Sequence, residues 1–280
     1  MIIFKTTENL REYLKDKPAS QGVVGFVPTM GALHRGHLSL VNLCRQQNTL
    51  TVVSIFVNPL QFNQKSDFDN YPSTIEKDME MLIGAGVDVL FLPSEKEMYP
   101  DENKKVTYDL GYLDQILEGA QRPGHFQGVA RVVDLLLQIV QPDNLYLGQK
   151  DFQQIKVIQR MIKLKGHHTK VVEAPLVREE SGLAMSSRNE RLSGTGRKKA
   201  AIIYKNLKTI KEEINEFPFS SLRKKAIDDL RKNGFKVDYI ELATQKDLKL
   251  LNDFDNKIPS RVLVAAWIES VRLIDNIPIP

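Results

Sequence analysis

Four helical stretches separate five short apolar runs, and that alternation constrains this chain more than any other feature. The runs lie at 23–27, 50–57, 88–92, 144–147 and 170–173, and the helical patterns at 37–47, 74–84, 128–140 and 152–165. Alternation of this kind predicts a parallel sheet covered on both faces. Residues 129–140 are apolar on nearly every side, which predicts a helix sandwiched in the core. After about residue 175 the character changes: Lys-rich helical segments fill roughly 196–233, and 237–242 and 261–268 read as strands of a small sheet. The expected fold class is α/β, with a Rossmann-like parallel-sheet domain over 1–175 and a smaller C-terminal α+β domain over 176–280. The basic helices, including Arg197-Lys198-Lys199, read as solvated faces.

Composition narrows the function classes. The 280 residues suffice for one large domain or two smaller ones, with most apolar surface buried without disulfides. Cys44 is the single cysteine, on a predicted helix, so no intrachain disulfide forms; a small core residue and a reducing, cytoplasmic location are expected. Met1-Ile2-Ile3-Phe4-Lys5 lacks the apolar core of a signal peptide, and no run approaches bilayer length, so no membrane is expected. Basic residues number 39 against 35 acidic, a net +4, too small an excess to imply nucleic acid.

Ligands of an open parallel sheet bind beyond the carboxyl ends of its strands, and four polar clusters follow predicted strands here. His34-Arg35-Gly36-His37 follows the first, through Pro28-Thr29-Met30-Gly31. Two imidazoles near a helix start, with glycines admitting a ligand to free backbone N–H groups, suit a phosphate. The alternatives are a surface turn or half of a metal site. The metal is the weaker one, since zinc takes three or four ligands and the histidines are only five, at 34, 37, 125, 167 and 168. Asn58-Pro59-Leu60-Gln61-Phe62-Asn63 mixes neutral hydrogen-bonding groups with apolar ones, as a small polar organic substrate requires, or simply starts a turn. In Gly148-Gln149-Lys150-Asp151, Lys150 can meet phosphate, while Asp151 either caps the next helix or accepts from a ribose hydroxyl. Gln154 lies one turn from Lys150. In the last cluster Ser186, Ser187 and Arg188 can bind phosphate or form an ordinary turn before a helix. Arg122 and His125 lie at the cleft mouth or order a loop. Neither a Walker-type phosphate loop nor Gly-x-Gly-x-x-Gly is present.

Taken together the clusters resemble the pantoate–β-alanine ligase family of the nucleotidyltransferase superfamily, which includes class I aminoacyl-tRNA synthetases. The matching pieces are Pro28-Thr29-Met30-Gly31-Ala32-Leu33-His34-Arg35-Gly36-His37, Phe56-Val57-Asn58-Pro59-Leu60-Gln61-Phe62, Arg122-Pro123-Gly124-His125-Phe126, Lys150-Asp151-Phe152-Gln153-Gln154 and Gly182-Leu183-Ala184-Met185-Ser186-Ser187-Arg188-Asn189, in family order over roughly 20–192. The resemblance implies an AMP-forming ligase making a C–N amide bond. ATP and pantoate would give pantoyl adenylate and pyrophosphate, then β-alanine would give pantothenate and AMP, with Mg2+ accompanying ATP. It implies an ATP site of Met30, Gly31, Ala32, Leu33, His34, Arg35, Gly36, His37, Gly148, Gln149, Lys150, Asp151, Val177 (through its backbone), Met185, Ser186, Ser187 and Arg188. Gln61 and Gln154 would hold pantoate, with Gln61 also near β-alanine. His37 would be catalytic, aided by His34, Lys150 and Arg188, and Asp78 would lie on the metal side. Relatives commonly carry an acid where this chain has Gln149. A homodimer is implied, and the C-terminal domain would act as a lid with 185–188 as phosphate clamp. The competing readings are a nucleotidylyltransferase that stops at a nucleotide-linked product, a tRNA-aminoacylating enzyme, and a nucleotide-sensing module that releases no pyrophosphate.

Overall fold

The computed structural model of the chain describes residues 1–15, 22–100 and 106–279. Its elements run β1 (Ile2–Phe4), α1 (Thr7–Lys15), β2 (Val24–Thr29), α2 (Arg35–Gln47), β3 (Leu50–Ile55), α3 (Lys65–Asp69), α4 (Ile75–Gly84), β4 (Val89–Phe91), α5 (Glu95–Met98), α6 (Leu117–Gln121), α7 (His125–Val140), β5 (Asn144–Gly148), α8 (Phe152–Lys165) and β6 (Lys170–Ala174). They continue with α9 (Gly194–Ala200), α10 (Ile202–Glu213), α11 (Phe219–Lys232), β7 (Lys236–Thr244), β8 (Leu250–Leu251), β9 (Ser260–Ile268) and β10 (Val271–Ile279). Short 3₁₀ turns stand at Pro59–Gln61, Gly111–Asp114, Gln149–Asp151 and Ser187–Arg191. Two units emerge: Met1–Gln149 with Gln153–Pro175, and Lys150–Phe152 with Leu176–Pro280.

The first unit is built on a six-stranded sheet in the order β1-β4-β3-β2-β5-β6, parallel throughout. Consecutive residues such as Phe26 and Val27, or Val52 and Val53, are wholly buried, so both faces are covered. That is why these strands read as unbroken apolar runs rather than alternating ones. One side of the sheet packs α2 and α4 around Val27, Leu40, Cys44, Val53, Leu82 and Leu90. Burial pushes the Cys44 thiol up to about 11, so it sits there as a small apolar group. The apolar stretch 129–140 is part of α7, which is buried on nearly every side. The run 50–57 is strand only to Ile55; the Phe56 N–H still reaches the Thr29 carbonyl at 3.0 Å before the chain turns at Asn58.

The strand order reverses between β2 and β5. From β2 the chain winds to β3 on one side, and from β5 to β6 on the other. β2 pairs with β3 at six positions but with β5 only at Gly25↔Asn144 and Phe26↔Leu145. The two strands part toward their carboxyl ends, which opens the crevice where such sheets bind ligands.

The second unit is an antiparallel sheet in the order β10-β9-β7-β8. Helices α9 to α11 pack on it around Leu207, Ile210, Phe219, Leu222, Leu242 and Val264. Lys198 and Lys199 are exposed, while Arg197 grips the Glu179 carboxylate with two N–H groups at 2.9 and 3.0 Å.

Candidate active site

The loop after β2 makes two consecutive left-handed steps, Gly31 (φ 79°) and Ala32 (φ 49°). Such a step is strained at Ala32, and Asp78 of α4 supplies the compensation. Its Oδ2 accepts from the Ala32 N–H and its Oδ1 from the Leu33 N–H, both at 2.8 Å, and the Thr74 hydroxyl donates to Oδ1 at 3.1 Å. Asp78 is 1 % exposed. Its two oxygens thus tie the loop to α4. A Cβ on Gly31 would lie 3.0 Å from the Asp78 carboxylate, so the clamp also requires that glycine.

His34 caps α2. The Gly36 N–H donates to His34 Nδ1 at 3.1 Å, and the His34 N–H donates to His37 Nδ1 at 3.3 Å. Both Nδ1 atoms act as acceptors, which assigns the ring proton to Nε2 in each neutral imidazole. The rings stack with centroids 4.0 Å apart. This differs from the expectation of free backbone N–H groups. Those of residues 32, 33, 34 and 36 are taken by Asp78 and the two histidines, and that of Gly31 by the Thr29 hydroxyl at 3.3 Å.

The 59–61 turn presents Gln61 to the same loop. Gln61 Nε2 lies 3.0 Å from Met30 Sδ, and Gln61 Oε1 accepts from Asn58 Nδ2 at 3.0 Å. Asn58 is itself held by the Tyr99 hydroxyl at 2.7 Å and by the Gly128 carbonyl at 3.2 Å. Burial pushes the Tyr99 phenol well above its ordinary value, so it remains a neutral donor. Arg122 and His125, expected at a cleft mouth or as loop-ordering groups, order this turn: His125 Nδ1 donates to the Gln61 carbonyl at 2.8 Å, and Arg122 Nη2 reaches it at 3.4 Å. Helix α7 presses on the turn so closely that a Cβ on Gly128 would stand 2.1 Å from the Leu60 carbonyl oxygen.

At the end of β5, Gly148 has no heavy atom closer than 4.0 Å to where a Cβ would be. Gln149 Nε2 lies 3.5 Å from Glu173 Oε2, and Lys156 and Gln159 donate to Glu173 Oε1 at 3.0 and 3.2 Å. An acid at position 149 would face that carboxylate. Gln153 is spent on structure, accepting from the Glu118 N–H and donating to the Leu113 and Ile116 carbonyls. Gln154 is half-buried.

The remaining expected residues belong to the second unit. Lys150 Nζ lies 3.5 Å from Asp151 Oδ2. Residues 177–185 form a tight hairpin, in which the Met185 N–H donates to the Val177 carbonyl at 3.0 Å and Glu179 pairs with Leu183 at 2.8 Å. Ser186 caps the turn that follows, accepting from the Arg188 N–H at 3.3 Å. Asn189 Nδ2 pins this turn to Glu179 at 2.8 Å and to the Ala184 carbonyl at 3.0 Å.

Among the described residues no cluster of three or more His, Cys, Asp and Glu side chains could hold a metal ion, and no helix is long and apolar enough to cross a membrane.

Comparisons with known proteins agree on one family. The family model described as pantoate-beta-alanine ligase matches residues 2–278. The pantothenate synthetase of Cytophaga hutchinsonii is 45 % identical, covering 100 % of this chain and 99 % of its own, and that of Acetivibrio thermocellus is 44 % identical over 99 % of each. The crystal structure of pantothenate synthetase from Thermus thermophilus superposes with a TM-score of 0.92 at 42 % identity, covering 100 % of both chains. That of pantoate-beta-alanine ligase from Francisella tularensis, complexed with beta-gamma ATP and beta-alanine, superposes with a TM-score of 0.85 at 40 % identity, covering 99 % of this chain and 97 % of its own. With the model spanning nearly the whole sequence and relatives above 40 % identity from end to end, the chain belongs to the pantoate–β-alanine ligase family.

Proposed function

We propose that this ligase forms pantothenate through a pantoyl adenylate. A pantoate carboxylate oxygen attacks the α-phosphorus of ATP, and the bond to the leaving pyrophosphate breaks. The neutral amine of β-alanine then attacks the acyl carbon, loses a proton and releases AMP. Charge gathers on phosphate oxygens in the first step, and the enzyme's part is positioning and charge stabilisation. His37 and His34 donate from Nε2, Lys150 supplies a mobile ammonium, and Arg188 supplies a fork of donors. Met30 to His37, Gly148 to Asp151, Val177 and Met185 to Ser187 complete the ATP site. Gln61 and Gln154 hold pantoate, with Gln61 also beside β-alanine. Magnesium would accompany the nucleotide and offset the charge of its phosphates. The same reading has the chain act in the cytoplasm as a homodimer, as the family resemblance implies; light scattering reads that mass.

The observation that carries the reading is the imidazole pair, each ring turned by a backbone bond so that its N–H sits on Nε2, at the carboxyl end of β2. The test is pyrophosphate release from ATP and pantoate, with and without β-alanine. The expected result is release on pantoate addition and AMP formation only when β-alanine is present. AMP independent of β-alanine, or a stable nucleotide-linked product, sinks the two-step reading.

A further inference from the structure

Lys150 works from a three-residue turn, and its reach depends on what holds that turn. Residues 150–152 pack with the second unit although they follow β5. There Asn276 of β10, 3 % exposed, donates from Nδ2 to the Lys150 carbonyl at 3.0 Å. Asn276 Oδ1 accepts from Arg261 Nη1. The Arg261 guanidinium in turn lies over the Phe152 ring, 4.1 Å from its centroid. The turn is thus gripped on both sides of Asp151.

Asn276 and its neighbour Asp275 on β10 also hold the hairpin that carries Val177 and leads to Met185–Arg188. Arg178 binds the Asp275 carboxylate with two N–H groups at 2.7 and 2.9 Å, and its Nη2 also reaches the Asn276 carbonyl at 3.3 Å. Its Nη1 donates to the Gly182 carbonyl at 3.0 Å, and its guanidinium stacks 3.6 Å from the Tyr204 ring centroid. The Asn276 N–H closes onto Asp275 Oδ1 at 2.7 Å. Every polar group of Asn276 has a partner, and the partners lead to both ATP-facing segments of this unit.

We propose that Asn276 is a positioning residue for adenylate formation, setting Lys150 through its carboxamide and tying that turn to the frame that holds the Val177–Arg188 segment. The inference rests on the assignment of Lys150 to the triphosphate. A lysine ammonium on a flexible stem is aimed only if its backbone is fixed. A buried, fully satisfied amide network specifies one geometry because any half-broken alternative is costly.

Asn276→Asp tests it in the full-length enzyme: the size and the acceptor for Arg261 remain, while an oxygen replaces the donor facing the Lys150 carbonyl. The expected result is a fall of about tenfold to a hundredfold in kcat for pyrophosphate release, with the ATP KM changed by less than about threefold. Asn276→Ala should do the same, and circular dichroism and melting check that each variant folds. Adding either change to Lys150→Ala should slow the enzyme no further, because both act through one group. Wild-type turnover in a folded Asn276 variant, losses that multiply with that of Lys150→Ala, or failure of both variants to fold would overturn the proposal. If Lys150→Ala alone turns over like wild type, the role given to Lys150 fails instead, and the inference with it.

Discussion

At the residue scale, the proposed chemistry rests on which ring nitrogen carries a proton. His34 and His37 each spend Nδ1 on a backbone N–H, so each imidazole offers Nε2–H without having to be cationic. Two stacked imidazolium rings 4.0 Å apart would repel; two neutral donors do not. Removing one donor aimed at developing charge typically costs about a hundredfold to a thousandfold in rate, or roughly 3–4 kcal/mol. His37→Ala and Lys150→Ala should each lose adenylate formation on that scale. His37→Ala should cost about 1 kcal/mol in stability through the bond it accepts from the helix cap. Near-normal pyrophosphate release in a purified, folded His37→Ala would remove that histidine from the reaction. The imidazole pair was legible in the sequence because its spacing is local. Its tautomers were not, since they depend on backbone angles, and the loop's N–H groups were misread as free because Asp78 lies 45 and 46 residues from its two partners.

At the scale of elements, two helices hold the loops of the candidate site. Asp78 brings α4 under the strained step at Ala32. Asp78→Ala leaves the N–H groups of half-buried Ala32 and buried Leu33 unpaired, with an expected stability loss of about 3 kcal/mol. A denaturant melt reads that loss. The rate of pyrophosphate release should fall with it, while the magnesium concentration for half-maximal activity stays put; a strong shift in that concentration would place Asp78 beside the metal. On the other helix, Gly128 lets α7 lie against the 59–61 turn. Alanine at an exposed helix position would gain about 1 kcal/mol over glycine. Here its Cβ would stand 2.1 Å from a backbone oxygen, which has no rotamer to yield. Gly128→Ala should therefore lose about 1–3 kcal/mol by overpacking and raise the pantoate KM more than the ATP KM. A stabilised Gly128→Ala with unchanged KM values would show that the turn moves freely. From sequence, residue 128 looked like the mere start of an apolar helix.

At the scale of the whole molecule, what the sequence disclosed follows burial. The strands at 24–29, 50–55, 89–91, 144–148 and 170–174 announced themselves because a parallel sheet buried on both faces needs unbroken apolar runs. β1 has only three residues, at the sheet edge, too few to carry a readable period, while α1 is amphipathic but short and buries only Leu10. β10 was hidden for a different reason: Asp275 and Asn276 interrupt its apolar pattern, and their burial is met by Arg178, 97 residues from Asp275, and by Arg261 on the neighbouring strand β9. Asp134 repeats that theme in the first unit, and it makes the molecule's stability depend on pH. It sits on α7, 3 % exposed, and accepts from the Tyr108 hydroxyl at 2.7 Å, from His167 Nε2 at 2.7 Å and from Gln138 at 3.0 Å, with Lys165 Nζ at 3.7 Å. Burial alone would raise its pKa; those three bonds and the Lys165 charge outweigh burial and hold it below the ordinary 3.8. In acid the unfolded chain therefore takes up this proton first. The stabilisation is fully present above about pH 3.8 and is lost as pH falls through the lower folded value. Asp134→Asn keeps the shape without the charge. Its urea midpoint should lie below that of the parent at pH 7, and the two should converge as pH falls below the ordinary carboxylate value, because the parent alone loses this term. A gap of constant size across that range would mean that the charge of Asp134 does not stabilise the fold.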